Sequence, residues 1–230
     1  MSQQMITVTS TNKNIQKLPS VQLPLEALKE EIFQQFTKQS GTTFLLYGND
    51  SVFGYAHRIA AEAIARGRTL AVVDASNYFD VHSLARYARL RKIDPEEFLN
   101  HIFISRGFTC YQVEQTITVK LPELQKKLPT QLVLILGLLD TFYDENVNIQ
   151  EAKSIVQKVI SSLDKLKGAG ISFLVVCQER NIFPPVRNQI FAMVRQSMDY
   201  VAKLQGTETE KARCIPESRH TNHNIYKIHG

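Results

Sequence analysis

Five short, continuously apolar runs, separated by stretches with helical patterning, restrict this chain to one kind of fold. The runs are Thr43–Tyr47, Leu70–Asp74, His101–Ser105, Leu132–Gly137 and Ile171–Cys177. Apolar residues follow one another there instead of alternating with polar ones, which marks strands covered on both faces in a parallel sheet. Between them, apolar residues recur at helical spacing over Phe53–Ala65, Val81–Lys92, Tyr111–Leu128 (with a break near Pro122) and Ile149–Lys167. In the last of these, Ile155, Val159 and Leu163 form the core face, flanked by Val156, Ile160 and Leu166. Asp94-Pro95 reads as a cap and first helical residue. This alternation predicts an α/β fold: a three-layer, doubly wound, mostly parallel sheet. An amphipathic segment at Val186–Arg195 precedes two late strands, Tyr200–Leu204 and Asn224–Ile228, expected as an antiparallel edge. A length of 230 residues suits one such domain. We assign residues 1–22 to a polar, loosely ordered arm and 23–230 to a single domain that opens with a helix over Leu23–Phe36.

The stretch Phe44–Arg68 carries the sharpest local signal. An apolar strand ends at Gly48, a short polar loop follows, and an alanine-rich helix opens around Gly54. That is the layout of a phosphate-binding loop, in which backbone N–H groups at a helix N-terminus cradle an anion. A working loop has four residues between its glycines, then Lys and Ser or Thr for the phosphates and magnesium. Here five residues separate Gly48 from Gly54, and Tyr55-Ala56 stand where Lys-Thr belong. His57 and Arg58 read as solvated helix residues, and Tyr55 as a side chain able to fill the vacated phosphate space.

The net charge of +5 permits an acidic partner such as nucleic acid. The three cysteines, Cys110, Cys177 and Cys214, lie far apart with no metal-ligand spacing, as expected of reduced thiols. No apolar run reaches the ~18–20 residues of a membrane helix, and Met1-Ser2-Gln3-Gln4-Met5 lacks a secretory signal. A cytoplasmic protein with no membrane partner is expected. Asp140, Asp144 and Glu145 form an acidic loop that reads as solvated, with a rebuilt metal site as the sharper alternative. Arg86 and Arg89 read as the solvent face of a helix whose buried side is Leu84, Ala85 and Ala88. In the C-terminal tail Arg213, Arg219 and Lys227 accompany Tyr226, a mixture that suits nucleic acid, but Glu208, Glu210 and Glu217 dilute its charge and the plainer reading is an edge hairpin with solvated charges. His220 and His223 lack further ligands for zinc.

Taken in order, the segments resemble the RecA/RadA recombinase family over about residues 25 to 205. The resemblance rests on Val72-Val73-Asp74-Ala75-Ser76-Asn77-Tyr78-Phe79, on Leu84-Ala85-Arg86-Tyr87-Ala88, and on Ile93-Asp94-Pro95-Glu96-Glu97-Phe98-Leu99-Asn100 followed by His101–Phe108. It implies a RecA-like P-loop NTPase core. It also exposes departures. Where the family has a catalytic glutamate after its second strand, this chain has Ser76. Where the family's fourth strand ends in a metal-binding aspartate, this chain has Leu136-Gly137, and the first carboxylate is Asp140. With the lysine, the glutamate and the aspartate all replaced, nucleotide hydrolysis is expected to be lost.

The resemblance places a degenerate nucleotide site at Gly48, Asn49, Asp50, Ser51, Gly54, Tyr55, Ala56, Asp74, Asp140 and Gln178. The last is near the family's nucleotide-sensing polar residue. No cofactor is expected beyond weak ATP and magnesium. In recombinases a DNA-binding loop follows the fifth strand, and here that loop offers Arg180, Phe183 and Arg187, with Arg213, Arg219 and Lys227 from the tail. The implied role is a DNA-binding or recombinase-associated accessory, with single-stranded DNA, another nucleic acid or a recombinase as partner. Two alternatives stay open: a non-catalytic subunit of a ring or hetero-oligomer, and an ATP-binding protein with a rearranged site.

Overall fold

The computed structural model describes residues 6–10, 22–23, 27, 30–33, 41–127, 130, 132–180, 182–205 and 213–216. Its strands are β1 (Ile6–Ser10), β2 (Gln22–Leu23), β3 (Thr43–Gly48), β4 (Leu70–Asp74), β5 (Ile102–Arg106), β6 (Leu132–Leu136), β7 (Ser172–Gln178), β8 (Tyr200–Gln205) and β9 (Arg213–Pro216). Six of them, in the order β8-β3-β7-β6-β4-β5, pair in parallel throughout. The five runs read from sequence are all strands of this parallel sheet.

The helices are α1 (Ser51–Ala65), α2 (Val81–Leu90), α3 (Pro95–Leu99), α4 (Cys110–Gln115), α5 (Leu121–Lys127), α6 (Ile149–Gly168) and α7 (Asn188–Ser197). They cover both faces. Phe44, Leu46, Leu70, Val72, Leu134 and Val176 join α1, α2 and α3 in one core. Leu45, Ala71, Val73, Val133, Ile135 and Val175 join α4, α5, α6 and α7 in the other. Successive strand residues thus feed opposite cores, which is why the runs are apolar without alternation. Ile155, Val159 and Leu163 of α6 are buried as the spacing requires.

Three details differ from the sequence reading. Tyr200–Leu204 was expected in an antiparallel edge, yet β8 pairs in parallel with β3, because α7 carries the chain back across the sheet before β8 begins. The antiparallel partners of β8 are β1 and β9 on its other side. Ile6–Ser10, inside the segment read as an arm, is therefore a strand, while Asn224–Ile228 lies outside the described residues. The break near Pro122 is a π turn over Thr116–Lys120. Pro122 has no N–H to give the Ile117 carbonyl, and the Ser162 hydroxyl of α6 donates to that oxygen at 3.2 Å instead.

Among the described residues no helix is long and apolar enough to cross a membrane.

Candidate functional site

In an open parallel sheet, ligands bind outside the carboxyl ends of the strands. Here those ends carry Gly48, Asp74, Leu136-Gly137 and Gln178, so most of the predicted nucleotide-site residues come together. What they form is closed.

The helix begins earlier than the sequence suggests. α1 starts at Ser51, so the turn after β3 is only Asn49-Asp50, and Gly54 lies inside the helix instead of opening it. The reason is packing: Val52 and Phe53 are buried in the first core, and an early helix start puts them there. The first backbone donors are already satisfied. Ser51 N–H donates to the Asn49 side chain at 3.3 Å, Val52 N–H to the Asn49 carbonyl at 3.1 Å, and Phe53 N–H to the Asp50 carbonyl at 3.3 Å. These three N–H groups are therefore engaged within the turn and not free to cradle a phosphate. Tyr55 and Ala56 are buried in the same core, so Tyr55 does not plug the loop.

Gly48 has a structural reason unrelated to phosphate. A Cβ there would lie 2.1 Å from the Leu204 carbonyl oxygen of β8, so glycine permits the β3–β8 approach. Gly137 sits at φ +61°, and a Cβ there would meet Ser76 Cβ at 2.2 Å and Ser76 Oγ at 2.6 Å. Ser76 thus packs directly against Gly137.

Asp74 is fully engaged. Its carboxylate accepts from Tyr78 N–H at 3.1 Å and Phe79 N–H at 3.2 Å, and Arg106 Nε stands 3.4 Å away. It shapes the loop after β4. That loop also corrects the reading of His57, which is buried, not solvated. Its Nε2 accepts the Asp80 N–H at 3.0 Å, and burial holds its pKa below the ordinary value, with Asp80, the Phe53 backbone and Asp74 offsetting part of the shift.

A chain of side chains ties the remaining strand ends together. Gln178 Nε2 donates to Asp50; Arg180 donates to Gln178 Oε1 from Nε at 3.0 Å and Nη2 at 2.8 Å; Arg180 Nη2 also meets Asp140 Oδ2 at 3.4 Å. Burial pushes the Asp140 carboxyl pKa up, and the Arg180 charge counters part of that. Beneath it, burial and then the Asp140 charge push the Cys177 thiol up to about 12, so the thiol is protonated and unreactive. Asp144 accepts from its own turn, the Asn146 N–H, at 2.9 Å. Among the described residues no three His, Cys, Asp or Glu side chains converge as a metal site.

The predicted nucleic-acid residues separate. Phe183 is 80% exposed at the tip of the loop after β7. Arg180 belongs to the chain just described. Arg187 is not a surface cation: it is 5% exposed, and its guanidinium donates to the Phe142 carbonyl at 3.0 Å and the Val147 carbonyl at 2.5 Å. The pattern of Pro-Pro-Val-Arg offered no sign of this burial, which depends on a loop some forty residues earlier. Arg213 lies in β9 with its side chain outside the described residues, as are Arg219 and Lys227. Arg86 and Arg89 are exposed opposite Leu84, Ala85 and Ala88.

Sequence reasoning missed Leu204 as the residue that fills the space at Gly48. It also missed the lysines of α6, whose apolar spacing drew attention only to the core face. No family model matches the chain, and no curated protein matches it either.

Proposed function

We propose that this chain is a RecA/RadA-like protein that does not hydrolyse nucleotide and acts by binding, as a DNA-binding or recombinase-associated accessory in recombination or repair. The ordered segments from Val72 to Phe108 support the RecA-like reading, as does the parallel pairing of β6 with β7. The observation that carries the non-catalytic part is the closure of the strand ends by Asp50, Gln178, Arg180 and Asp140. The residues do not fit ATP with magnesium. No lysine follows Gly54, Asp74 is engaged by backbone donors, and Ser76 and Gly137 occupy each other's space. Loss of several phosphoryl-transfer groups together removes the positioning and charge neutralisation on which that catalysis rests.

Calorimetry with ATP and magnesium tests the first half: no binding tighter than about 1 mM is expected, and a micromolar constant overturns it. Fluorescence anisotropy with a labelled single-stranded oligonucleotide tests the second, because a nucleic-acid binder shows affinity that falls steeply with salt. Dispersed buried thiols such as Cys110 and Cys177 suit a reducing cytoplasm.

One observation favours a second reading, a non-catalytic subunit of a ring or hetero-complex. Among the described residues β5 pairs only with β4, and Ile104 within it and Phe108 and Tyr111 shortly after it are 42%, 70% and 46% exposed. An open edge with apolar neighbours is a site of strand pairing between chains. Light scattering decides it: a strict monomer at tens of micromolar, alone and with a recombinase, refutes this reading.

A further inference from the structure

Away from the strand ends, a groove of about 1030 Å³ runs along the exposed face of α6, between the arm formed by α4, the π turn and α5 on one side and Met193 of α7 on the other. We infer that this groove holds the phosphodiester backbone of a single-stranded nucleic acid, an inference that rests on the DNA-binding reading above and gives it a site.

The sequence of α6 builds one wall. Ser154, Lys158, Ser161 and Lys165 line the groove, and at 100° and 1.5 Å per residue they fall within about 60° of arc over about 16 Å of helix. Hydroxyls and ammonium groups therefore alternate along one line. The opposite wall is set by the π turn, whose Thr118 and Pro122 face the groove. The Ser162 hydroxyl, bonded to the Ile117 carbonyl, holds that turn against α6.

The charge is positive and largely unneutralised. Lys153, Lys158 and Lys165 contribute three positive charges to the lining against one negative charge from Glu114. Lys158 lies 3.9 Å from Glu114 with its own side chain 63% exposed, a geometry worth little. Lys153 donates to the neutral Gln189, and among the described residues no ion pair involves Lys165. The lining holds no aromatic residue. Without a stacking platform the groove reads phosphates and not bases, so binding is independent of sequence. The single strand is the partner named by the DNA-binding reading above, and a duplex competitor tests that choice.

The test is anisotropy of a labelled oligo(dT) across a salt series with the wild-type chain and the double variant Lys158→Ala/Lys165→Ala. Both positions are exposed and alanine favours helix, so an unchanged thermal melt is expected and serves as the folding control. Removing two phosphate contacts should weaken binding about tenfold or more at low salt and lower the slope of log K against log salt by about 1.4. Wild-type binding with an unaltered double variant overturns the groove and leaves the DNA-binding reading standing. No salt-sensitive binding by the wild type overturns both. A duplex that binds as tightly as the single strand overturns the single-strand assignment.

Discussion

Replacing Arg187 separates a structural arginine from a phosphate contact. Arg187 heads α7, and its guanidinium reaches back to the loop after β6, donating to the carbonyls of Phe142, Val147 and Glu145 at 3.0, 2.5 and 3.5 Å. These bonds close the 142–147 segment over the second core, where Phe142 and Val147 are buried. In Arg187→Ala the Phe142 and Val147 carbonyls lose charge-assisted donors in a site that water reaches poorly. A hydrogen bond to a charged group contributes about 1.5–3 kcal/mol, and an acceptor left buried without a partner costs about 1–3 kcal/mol. The two well-formed bonds partly share one side chain, so the sum is about 3–4 kcal/mol. For a chain of this size that lowers the melting temperature by roughly 6–16 °C. Arg187→Lys should recover part of the loss, since an ammonium reaches one carbonyl but lacks the planar fork that reaches both. Thermal and urea unfolding measure the stability, and anisotropy on the same samples at a temperature where both are folded measures affinity for single-stranded DNA. The expected result is a large stability loss with unchanged affinity. A variant that melts like the wild type yet loses DNA affinity refutes the assignment and returns Arg187 to the surface.

Three further outcomes follow from the site. Gly48→Ala places a Cβ 2.1 Å from the Leu204 carbonyl oxygen and should cost more than about 2 kcal/mol in urea unfolding; a change under about 0.5 kcal/mol contradicts the close β3–β8 approach. Gly137→Ala combines a clash on Ser76 with a left-handed backbone and should cost about 2–4 kcal/mol. Adding Ser76→Gly should return about half of that by relieving the clash alone, so a fully additive pair counts against the packing. His57 has a folded pKa below its ordinary value, so the unfolded chain takes up the proton first. Its contribution to stability is complete above the ordinary histidine range, falls as pH drops through about 6.5, and levels off below the folded pKa. His57→Gln keeps an acceptor for the Asp80 N–H without titrating, and melts at pH 7.5 and 5.5 should then differ less than in the wild type.

The sheet was legible because burial on both faces leaves a direct mark on composition, and every one of the five apolar runs is a parallel strand. Caps were legible for the same local reason: Asp94 accepts the Glu96 N–H and Pro95 occupies the first helical position, as their chemistry requires. What stayed hidden depends on partners distant in sequence. The direction of β8 is set by α7 crossing the sheet, not by the residues of β8 itself. The burial of Arg187 needs carbonyls some forty positions away, and that of His57 needs the loop at Asp80. The early start of α1 was concealed by Gly54, whose poor helix propensity is outweighed by the burial of Val52 and Phe53.

On the proposed RecA-like reading, the departures from a phosphoryl-transfer site form one rearrangement instead of separate substitutions. At three places on the strand ends, parts of the same chain close on one another. Leu204 closes on Gly48, Ser76 on Gly137, and Gln178 on Asp50. Restoring a single group would therefore not restore a site: an aspartate at 137 would collide with Ser76 and require a backbone that an L side chain rarely adopts, and a lysine at 55 would enter the core where Tyr55 is buried. The variants Tyr55→Lys and Gly137→Asp should lose stability without gaining ATP binding by calorimetry. Nucleotide affinity gained by either alone would show that the strand ends are an open cleft missing one side chain, and their closure would be refuted.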